Sequence, residues 1–209
     1  STPCEKKYAG KLRTPEEAAS LIPDQSLVIF GSAIGQPPAL LHAVANRASS
    51  GGLSHLRMSS LLPLDASAAS IFRAECRPVI QWESMFASPF DRKLIAEKSA
   101  LFTPAFFHQI PRLFTEFMDI NVAMICVSPM DKHGYMSLGT NVDTNKAAVA
   151  AADLVLAEVN PKMPRVHGDS WVHVDEVDVI VEHEADLFEL AAPAERPEDA
   201  AIGPLICEM

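Results

Sequence analysis

Short apolar runs alternate with amphipathic helical patterns along most of this chain. The runs carry few polar residues, which is typical of strands buried on both faces of a parallel sheet. The clearest run is 122–127, which reads Val-Ala-Met-Ile-Cys-Val. The predicted strands are residues 26–30, 55–62, 79–82, 100–102, 122–127, 154–159 and 177–182. Because helical patterns separate them, we predict an α/β fold with an open, mostly parallel sheet and helices on both faces.

The predicted helices begin at recognisable signals. Thr14 is a candidate N-cap, with Pro15 at the first helical position and Glu17 at the third, a pattern that stabilises a helix start. The other predicted helices are residues 39–48, 66–73, 90–98, 105–117 and 144–152. Pro111 lies inside one of them, which predicts a kink or two short helices. Four phenylalanines fall within 102–114, and burial of this helix would explain them.

Three loops that follow predicted strands concentrate glycine, proline and small polar residues. We name them the first loop (31–37), the central loop (130–139) and the third loop (160–164). In open α/β sheets, ligands bind just past the carboxyl ends of the strands. We therefore predict that these loops bind substrate. The candidate residues are Gly31, Ser32, Ala33, Ile34, Gly35, Gln36, Pro37, Met130, His133, Gly134, Ser137, Gly139, Asn160, Met163 and Pro164.

The first loop places a G-x-x-x-G pattern between a strand and a helix. Small residues let a ligand approach the backbone, and N–H groups at a helix N-terminus favour an anion. The pattern is neither a dinucleotide fingerprint nor a P-loop, because the P-loop lysine is missing. A plain turn here, and an ordinary surface loop for 130–139, are the alternative interpretations. In the central loop we expect the backbone around Gly139, rather than side-chain charge, to meet the substrate.

Composition and charge narrow the class of protein. The 209 residues have a formal net charge of -10 and no basic stripe, which argues against a nucleic-acid partner. No apolar run approaches the roughly 20 residues of a membrane span, and no signal peptide is visible. We therefore expect a cytoplasmic protein with no membrane partner. The cysteines and histidines lie far apart, which favours reduced thiols and argues against a metal site.

Four motifs, in order along the chain, resemble the acetyl-CoA hydrolase/transferase family, which includes the 4-hydroxybutyrate-type CoA-transferases. The motifs are FGSAIGQPPAL, FTPAFFHQIPRLF, VSPMDKHGYMSLGTNVDTNKAA and AEVNPKMPRVHGDSWVHVDEVD. The resemblance covers roughly residues 10–190 and corresponds to the N-terminal half of such a class I CoA-transferase. The family's first turn has a further glycine where this chain has Ala33.

The resemblance implies two similar α/β domains with the active site between them. It implies a ping-pong reaction in which a glutamate attacks an acyl-CoA thioester and later carries CoA as a glutamyl thioester. In the family this glutamate lies in the second domain, in a His-(Ser/Thr)-Glu-(Met/Leu) motif that does not occur here. The implied substrates are an acyl-CoA, the coenzyme A thioester, and a small carboxylate, with no permanently bound cofactor. The expected partners are the C-terminal half of the same enzyme and further copies in a homo-oligomer.

The expected division of the chain falls near residue 190. Residues 1–190 are predicted to form the N-terminal domain, and residues 191–209 a linker and the start of a second α/β domain. The segment 189–199 is rich in Ala, Pro and acidic residues, as linkers are. The segment 197–206 then repeats the pattern of 15–22 with two extra residues, which a second similar unit or chance would produce.

Several side chains are weaker candidates for chemistry than the loops. Glu83 and Glu158 are alternative nucleophiles, but neither has the family motif around it. Asp131 and Lys132 of the central loop, together with its histidine, are of a kind that more often faces solvent. His108 fits a buried structural histidine. We therefore assign no catalytic residue to this chain.

Three other functions stay open at this point: an acyl-CoA hydrolase of the same family, a non-catalytic ligand-binding domain, and a sugar-phosphate isomerase-like enzyme. Against the last, Arg and Lys do not concentrate in the loops that follow the strands. A downstream domain that carries His-(Ser/Thr)-Glu would separate the enzymes of this family from a binding domain.

Overall fold

The computed structural model describes residues 2–189 and 191–208. Its centre is a sheet of seven parallel strands, which confirms the predicted α/β class. The strands of this sheet are β1 Leu27–Phe30, β2 Leu56–Ser60, β3 Ile80–Ser84, β4 Ala100–Phe102, β5 Val122–Val127, β7 Leu154–Val159 and β9 Val179–Glu182. A separate antiparallel pair joins β6 Tyr135–Ser137 to β8 Trp171–His173.

The order of the sheet is β4-β3-β2-β1-β5-β7-β9. From β1 the chain builds outward through β2, β3 and β4, and then returns to add β5, β7 and β9 on the other side. Val28 of β1 therefore pairs with Met58 of β2 and with Val122 of β5. The direction of strand addition reverses between β1 and β5. In open α/β sheets this switch point is where ligands bind.

Helices cover both faces of the sheet. The helices of the described chain are α1 Pro3–Lys11, α2 Pro15–Ser20, α3 Pro38–Ser49, α4 Asp65–Ala68, α5 Pro89–Ala96, α6 Ile110–Glu116, α7 Asn145–Ala151 and α8 Pro197–Cys207, of which α8 lies outside the two core layers. On one face, α2, α3 and α5 pack on a core that includes Phe30 and Trp82. On the other face, α1, α6, α7 and the β6–β8 pair pack on a core that includes Ile29 and Ile125.

Two local predictions are confirmed closely. Thr14 Oγ1 accepts from the Glu17 N–H at 3.1 Å, and Glu17 Oε2 accepts from the Thr14 N–H at 2.8 Å, so the start of α2 has both bonds of a capping box. The run 122–127 is a strand whose six residues are all buried. Buried strands of this kind read as unbroken apolar runs because both of their faces meet helices.

The segment 105–117 differs from its prediction. Phe107–Gln109 is a 3₁₀ turn and α6 begins at Ile110, so Pro111 lies in the first helical turn, where its missing N–H costs nothing. The expected burial of the phenylalanines is wrong for most of them, because Phe106 is 72% exposed whereas Phe114 is buried. His108 is also exposed and stacks on Phe106 with ring centroids 5.8 Å apart, so it is not a buried structural histidine.

Four elements, α1, β6, β8 and α4, were not predicted or were predicted too long. α1 has no buried residue and is held by polar contacts, such as Lys11 Nζ donating to the Val174 carbonyl at 2.8 Å. The short strands β6 and β8 were not predicted, because neither contains an apolar run in its sequence. α4 ends at Ala68 rather than at residue 73, and Ser70 Oγ donates to the Ala66 carbonyl, a bond that competes with the helix.

The chain beyond β9 has little packing. Residues 183–189 and 191–196 form no regular element, and α8 has no buried residue. Like α2, α8 begins with proline followed by two acidic residues. The linker and second domain predicted for 191–209 stay a prediction, and Leu190 and Met209 lie outside the described residues. Within the described ranges, no helix is long and apolar enough to cross a membrane.

Candidate active site

The three loops named from the sequence follow β1, β5 and β7, which are neighbours in the sheet. Because these strands are parallel, their carboxyl ends meet at one edge of the sheet. All three loops therefore leave the same edge, around the switch point between β1 and β5. That they bind substrate stays a prediction.

The first loop is closed by two approaches that only glycine allows. A Cβ on Gly31 would lie 2.2 Å from the Gly35 carbonyl oxygen, and a Cβ on Gly35 would lie 2.3 Å from the Asn141 Cβ. Asn141 also binds this loop, because its Oδ1 accepts from the Ser32 N–H at 2.8 Å in a buried contact. Asn145 Nδ2 donates to the same oxygen at 2.8 Å. Asn141 thus ties the first loop to the chain that follows the central loop, although it was not among the predicted residues.

Two non-glycine residues beside this loop adopt the left-handed region. Ala33, where the family resemblance expects a glycine, has φ 45°, and Leu62 just after β2 has φ 50°. They are neighbours, because the Ala33 N–H donates to the Leu61 carbonyl at 3.2 Å and Gln36 Nε2 donates to the Leu62 carbonyl at 3.3 Å. Such residues cost of order 1–3 kcal/mol each and concentrate at functional sites. The backbone at Ala33 therefore follows a path that suits glycine, in spite of the substitution.

Most N–H groups of the first loop already donate within the chain. Those of Gly31, Ser32, Ala33, Gly35 and Gln36 donate to Met124 O, Asn141 Oδ1, Leu61 O, Ser32 O and Ala33 O, respectively. Ile34 is different, because its N–H has no acceptor among the residues that the structure describes. Pro37, which has no N–H, is buried and directly precedes α3. The loop therefore offers one backbone donor to a ligand rather than a row of them.

Gly139 joins the central loop to the third loop. Its φ is 58°, and a Cβ there would lie 2.3 Å from Met163 Sδ and 2.8 Å from the Pro164 carbonyl oxygen. Its N–H donates to Ser137 Oγ at 3.1 Å. The space that a Cβ would enter at this position is filled by the third loop. Gly139 is needed for the packing of two loops against each other.

Arg165, which follows the third loop, binds the central loop at several points. Its Nη1 donates to the Pro129 carbonyl at 2.8 Å and to the Tyr135 carbonyl at 3.3 Å. Its Nη2 donates to Asp131 Oδ2 at 3.0 Å, and its guanidinium lies 4.6 Å from the centre of the Trp171 ring. Burial acts to raise the pKa of Asp131, but the Tyr135 and His133 N–H groups and Arg165 hold that pKa below its usual value.

The tip of the central loop is turned towards α1 rather than towards the first loop. A Cβ on Gly134 would lie 2.5 Å from His173 Nε2 and 2.9 Å from Cys4 Sγ. Both of those side chains contact the His133 carbonyl oxygen, His173 Nε2 at 3.2 Å and Cys4 Sγ at 3.7 Å. Met130 is partly buried against the core. The structure thus gives His133, Gly134 and Met130 structural neighbours within this domain.

A cavity of about 230 Å³ opens between the first and third loops. The residues that line it are mostly apolar. They are Ala33, Ile34, Gln36, Pro38, Leu64, Ala66, Cys126, Asn160, Ala185, Asp186, Leu187 and Phe188. Asn160 Nδ2 donates to the Ala185 carbonyl at 2.9 Å, which holds the segment after β9 over the cavity. Four residues predicted from the sequence therefore line this cavity, namely Ala33, Ile34 and Gln36 of the first loop and Asn160 of the third loop.

The two glutamates considered as nucleophiles do not line this cavity. Glu83 is 6% exposed, and its carboxylate accepts from Arg57 Nη2 and from Thr103 Oγ1, both at 2.6 Å. Burial acts to raise the pKa of Glu83, but these two donors hold it below its ordinary value. Glu158 is fully buried beneath α3. Neither carboxylate is placed to attack a thioester in the cavity.

In the described part of the chain, no group of three or more His, Cys, Asp or Glu residues is arranged to hold a metal ion. The four cysteines have free thiols, with Cys76 and Cys126 buried and Cys207 exposed. Cys4 lies far from the loops in sequence, yet it packs against the central loop.

Comparison with known proteins identifies a family model and relatives that match this chain. The chain matches the model of the acetyl-CoA hydrolase/transferase N-terminal domain over residues 2–189. It is 32% identical over 206 residues to succinyl-CoA:cyclohexane-1-carboxylate CoA transferase of Geobacter metallireducens, which covers 98% of this chain and 46% of that protein. It is 37% identical over 201 residues to 4-hydroxybutyrate coenzyme A transferase of Clostridium kluyveri, which covers 95% of this chain and 46% of that protein.

A solved structure agrees with these relatives. The crystal structure of RipA from Yersinia pestis matches with a TM-score of 0.92 and 36% identity, over 99% of this chain and 50% of that one. The chain thus spans about half the length of these three relatives. Since the family model matches nearly the whole chain, this chain belongs to the acetyl-CoA hydrolase/transferase family and corresponds to the N-terminal domain of its members.

Proposed function

We propose that this domain forms one wall of the active site of a CoA-transferase that moves CoA between an acyl-CoA and a small carboxylate. The observation that carries the proposal is the convergence of three loops at the switch point of the sheet, beside a 230 Å³ cavity. The left-handed Ala33 at its rim adds support, because strained residues concentrate at functional sites. A cavity of this size, with mostly apolar walls, suits a short acyl group.

The proposed chemistry uses a glutamate of the C-terminal half of the same enzyme. Its carboxylate attacks the thioester carbonyl, CoA leaves as the thiolate, and an acyl-glutamyl anhydride forms. The thiolate then attacks the glutamyl carbonyl, which releases the first carboxylate and forms a glutamyl-CoA thioester. The acceptor carboxylate attacks this thioester, and the thiolate returns to the acceptor acyl group, which regenerates the glutamate.

The role of the first loop in these steps is to stabilise the oxyanion that forms on the attacked carbonyl. Backbone N–H groups fixed before the reaction are effective for this purpose. The Ile34 N–H fits the role, because Ile34 lines the cavity and this N–H has no acceptor in the described residues. The other loop N–H groups hold the backbone around it in place.

An apolar groove at the same edge of the sheet favours coverage by the C-terminal half. Beside the ends of β3 and β4, Phe86, Phe102 and Phe106 are 51%, 45% and 72% exposed and line a groove of about 340 Å³. Exposed apolar patches of this kind mark interaction surfaces.

The similarity to known proteins favours transfer over hydrolysis as the reaction, because the Geobacter and Clostridium relatives cited above are both CoA transferases.

One experiment tests the cavity as the acyl site. Binding of butyryl-CoA to the chain is measured by calorimetry for the wild type and for Ile34→Trp, which fills the cavity. Ile202→Trp, on the exposed surface of α8, is the matched control. We expect Ile34→Trp to weaken binding by tenfold or more and Ile202→Trp to leave it unchanged. Equal binding by all three proteins would overturn the assignment of this cavity.

A second experiment tests the division of labour. The 209-residue chain is assayed with butyryl-CoA and acetate, alone and together with a C-terminal half that carries the His-(Ser/Thr)-Glu motif. We expect transfer only when both halves are present, with a CoA adduct on a glutamate of the second half by mass spectrometry. Full turnover by the chain alone would refute the proposed source of the nucleophile.

A further inference from the structure

Glu158 is an acidic residue in β7, a strand that is buried along nearly its whole length. It has no exposed surface, and its register partners are Cys126 on β5 and Val181 on β9. The preceding residues 155–157 of β7 are apolar. Burial of a carboxyl group in such surroundings is costly unless its oxygens accept hydrogen bonds. Its position therefore needs a physical reason.

The contacts of Glu158 lead to the N-terminus of α3. Oε2 accepts from the Leu40 N–H at 3.0 Å, and the Ala39 N–H also acts on this carboxyl group. The N-cap residue of α3 is Pro37, which makes no side-chain hydrogen bond to the helix. A helix start leaves several N–H groups without intrahelical partners. Glu158, 118 residues away in sequence, supplies the missing cap.

The second oxygen of Glu158 is unsatisfied. Oε1 is buried and has no hydrogen-bond partner in the described part of the chain. Burial raises the pKa of Glu158 to about 7, although the Leu40 and Ala39 N–H groups act to lower it. Of its neighbours on β5, β9 and α3, Cys126 is titratable, and burial raises the pKa of that thiol as well. Burial without a cation partner therefore favours the neutral acid over the carboxylate at this position, since no cation of the described residues bonds to it.

We propose that Glu158 is a positioning residue that holds the N-terminus of α3, and with it the first loop, and that loss of its proton loosens both. The first loop runs directly into α3 through Gln36 and Pro37. Asn141 holds the start of that loop, and Glu158 holds the first turn of the helix that follows it. The protonated acid is neutral and keeps one oxygen free to accept, whereas the carboxylate leaves an uncompensated charge in an apolar site. The catalytic part of this inference rests on the function proposed above; the structural part does not.

Hydrogen exchange of the chain without substrate tests the structural part. Exchange of peptides that cover residues 31–44 is measured at pH 6 and pH 8 and corrected for the intrinsic rate. Opening that exposes Glu158 to solvent predicts a loss of protection of roughly tenfold over this range in the wild type. Glu158→Gln retains an acceptor without a charge, so its protection is expected not to change with pH. Glu158→Leu lacks the acceptor and is expected to be poorly protected at both values.

The control is Glu116→Gln, which removes an exposed carboxylate on α6 that binds Arg112. It is expected to reproduce the wild-type pH dependence. A wild type with constant protection, a Gln variant with wild-type pH dependence, or a fully protected Leu variant would each overturn the proposal. If the exchange results hold but the two-half enzyme shows no CoA transfer, the positioning role stands and the proposed function fails.

In the two-half enzyme, kcat/KM is expected to fall between pH 6 and 8 through a step that Glu158→Gln abolishes, while KM for the acceptor changes little. A purely structural role would lower activity equally at all pH values, and that result would refute the proton-linked role. Thermal melting must first show that each variant is folded.

Discussion

Replacement of Gly139 by alanine tests how tightly the central and third loops are packed. Two costs add at this position. The first is the left-handed backbone at φ 58°, which costs a residue with a Cβ about 1–2 kcal/mol. The second is the contact of the new Cβ with Met163 Sδ at 2.3 Å and with the Pro164 carbonyl oxygen at 2.8 Å. Overpacking of this kind costs about 1–3 kcal/mol. The sum is a loss of about 2–5 kcal/mol in the free energy of unfolding.

Gly168→Ala is a matched control, because it changes the backbone cost alone. Gly168 has φ 91°, and a Cβ added there would have no atom within 4 Å beyond its chain neighbours. Urea unfolding followed by circular dichroism measures both variants. With a slope of about 2 kcal/mol per M, the steric part predicts an unfolding midpoint about 0.5–1.5 M lower for Gly139→Ala than for Gly168→Ala.

The double variant Gly139→Ala/Met163→Ala separates the two costs further. Removal of the Met163 side chain relieves its contact with the new methyl group, so the double variant should be more stable than the sum of the single changes predicts, by more than about 0.5 kcal/mol. Equal midpoints for Gly139→Ala and Gly168→Ala, together with additive single changes, would refute the packing argument.

Three further predictions concern other parts of the site. Ala33→Gly relieves the backbone strain at φ 45° but makes the unfolded chain more flexible. The net result should be a free energy of unfolding higher by about 0.5–1 kcal/mol in urea melts. A lower free energy of unfolding would contradict the assignment of strain to Ala33. Arg165→Ala removes hydrogen bonds to two carbonyl groups and to Asp131, so it should lower the stability of the fold by about 1–2 kcal/mol in a thermal melt. The control Arg92→Ala should have almost no effect, because the Arg92 guanidinium makes one hydrogen bond, to the Ala87 carbonyl. Glu158→Gln should remove a pH dependence of stability. The pKa of Glu158 in the folded protein, about 7, lies above its ordinary value, so the protonated side chain stabilises the wild type fully below about pH 4.5. This stabilisation, about 3 kcal/mol in total, is lost as the pH rises through 7. Parallel stability curves for wild type and Glu158→Gln between about pH 4.5 and 8 would contradict this.

Much of the fold follows from local features of the sequence. The run 122–127 is a strand at the predicted bounds, and residues 154–159 are as well, because a strand covered on both faces tolerates few polar residues. The start of α2 also depends only on residues 14–17. The first, central and third loops were predicted as a group, because parallel strands carry their carboxyl ends to one edge.

Local features failed where a residue's role depends on a distant partner. The apolar stretch 102–114 was predicted to be buried, but burial depends on what covers the residues, and most of its phenylalanines are exposed here. Met130 and the tip of the central loop looked equivalent to the first loop in sequence. The tip instead turns to α1, whose Cys4 contacts the His133 carbonyl across 129 residues.

The sequence by itself determined the class of fold, the capped start of α2, the buried central strands and the edge at which the loops meet, because these depend on residues close together in the chain. Tertiary structure alone decided that Asn141 binds the Ser32 N–H, 109 residues away, and that Glu158 caps α3. It also decided that the space beside Gly139 belongs to Met163 rather than to a ligand. The physical reason is that hydrogen-bond partners and free volume are properties of side chains brought together by the sheet, and no pattern along the chain records them.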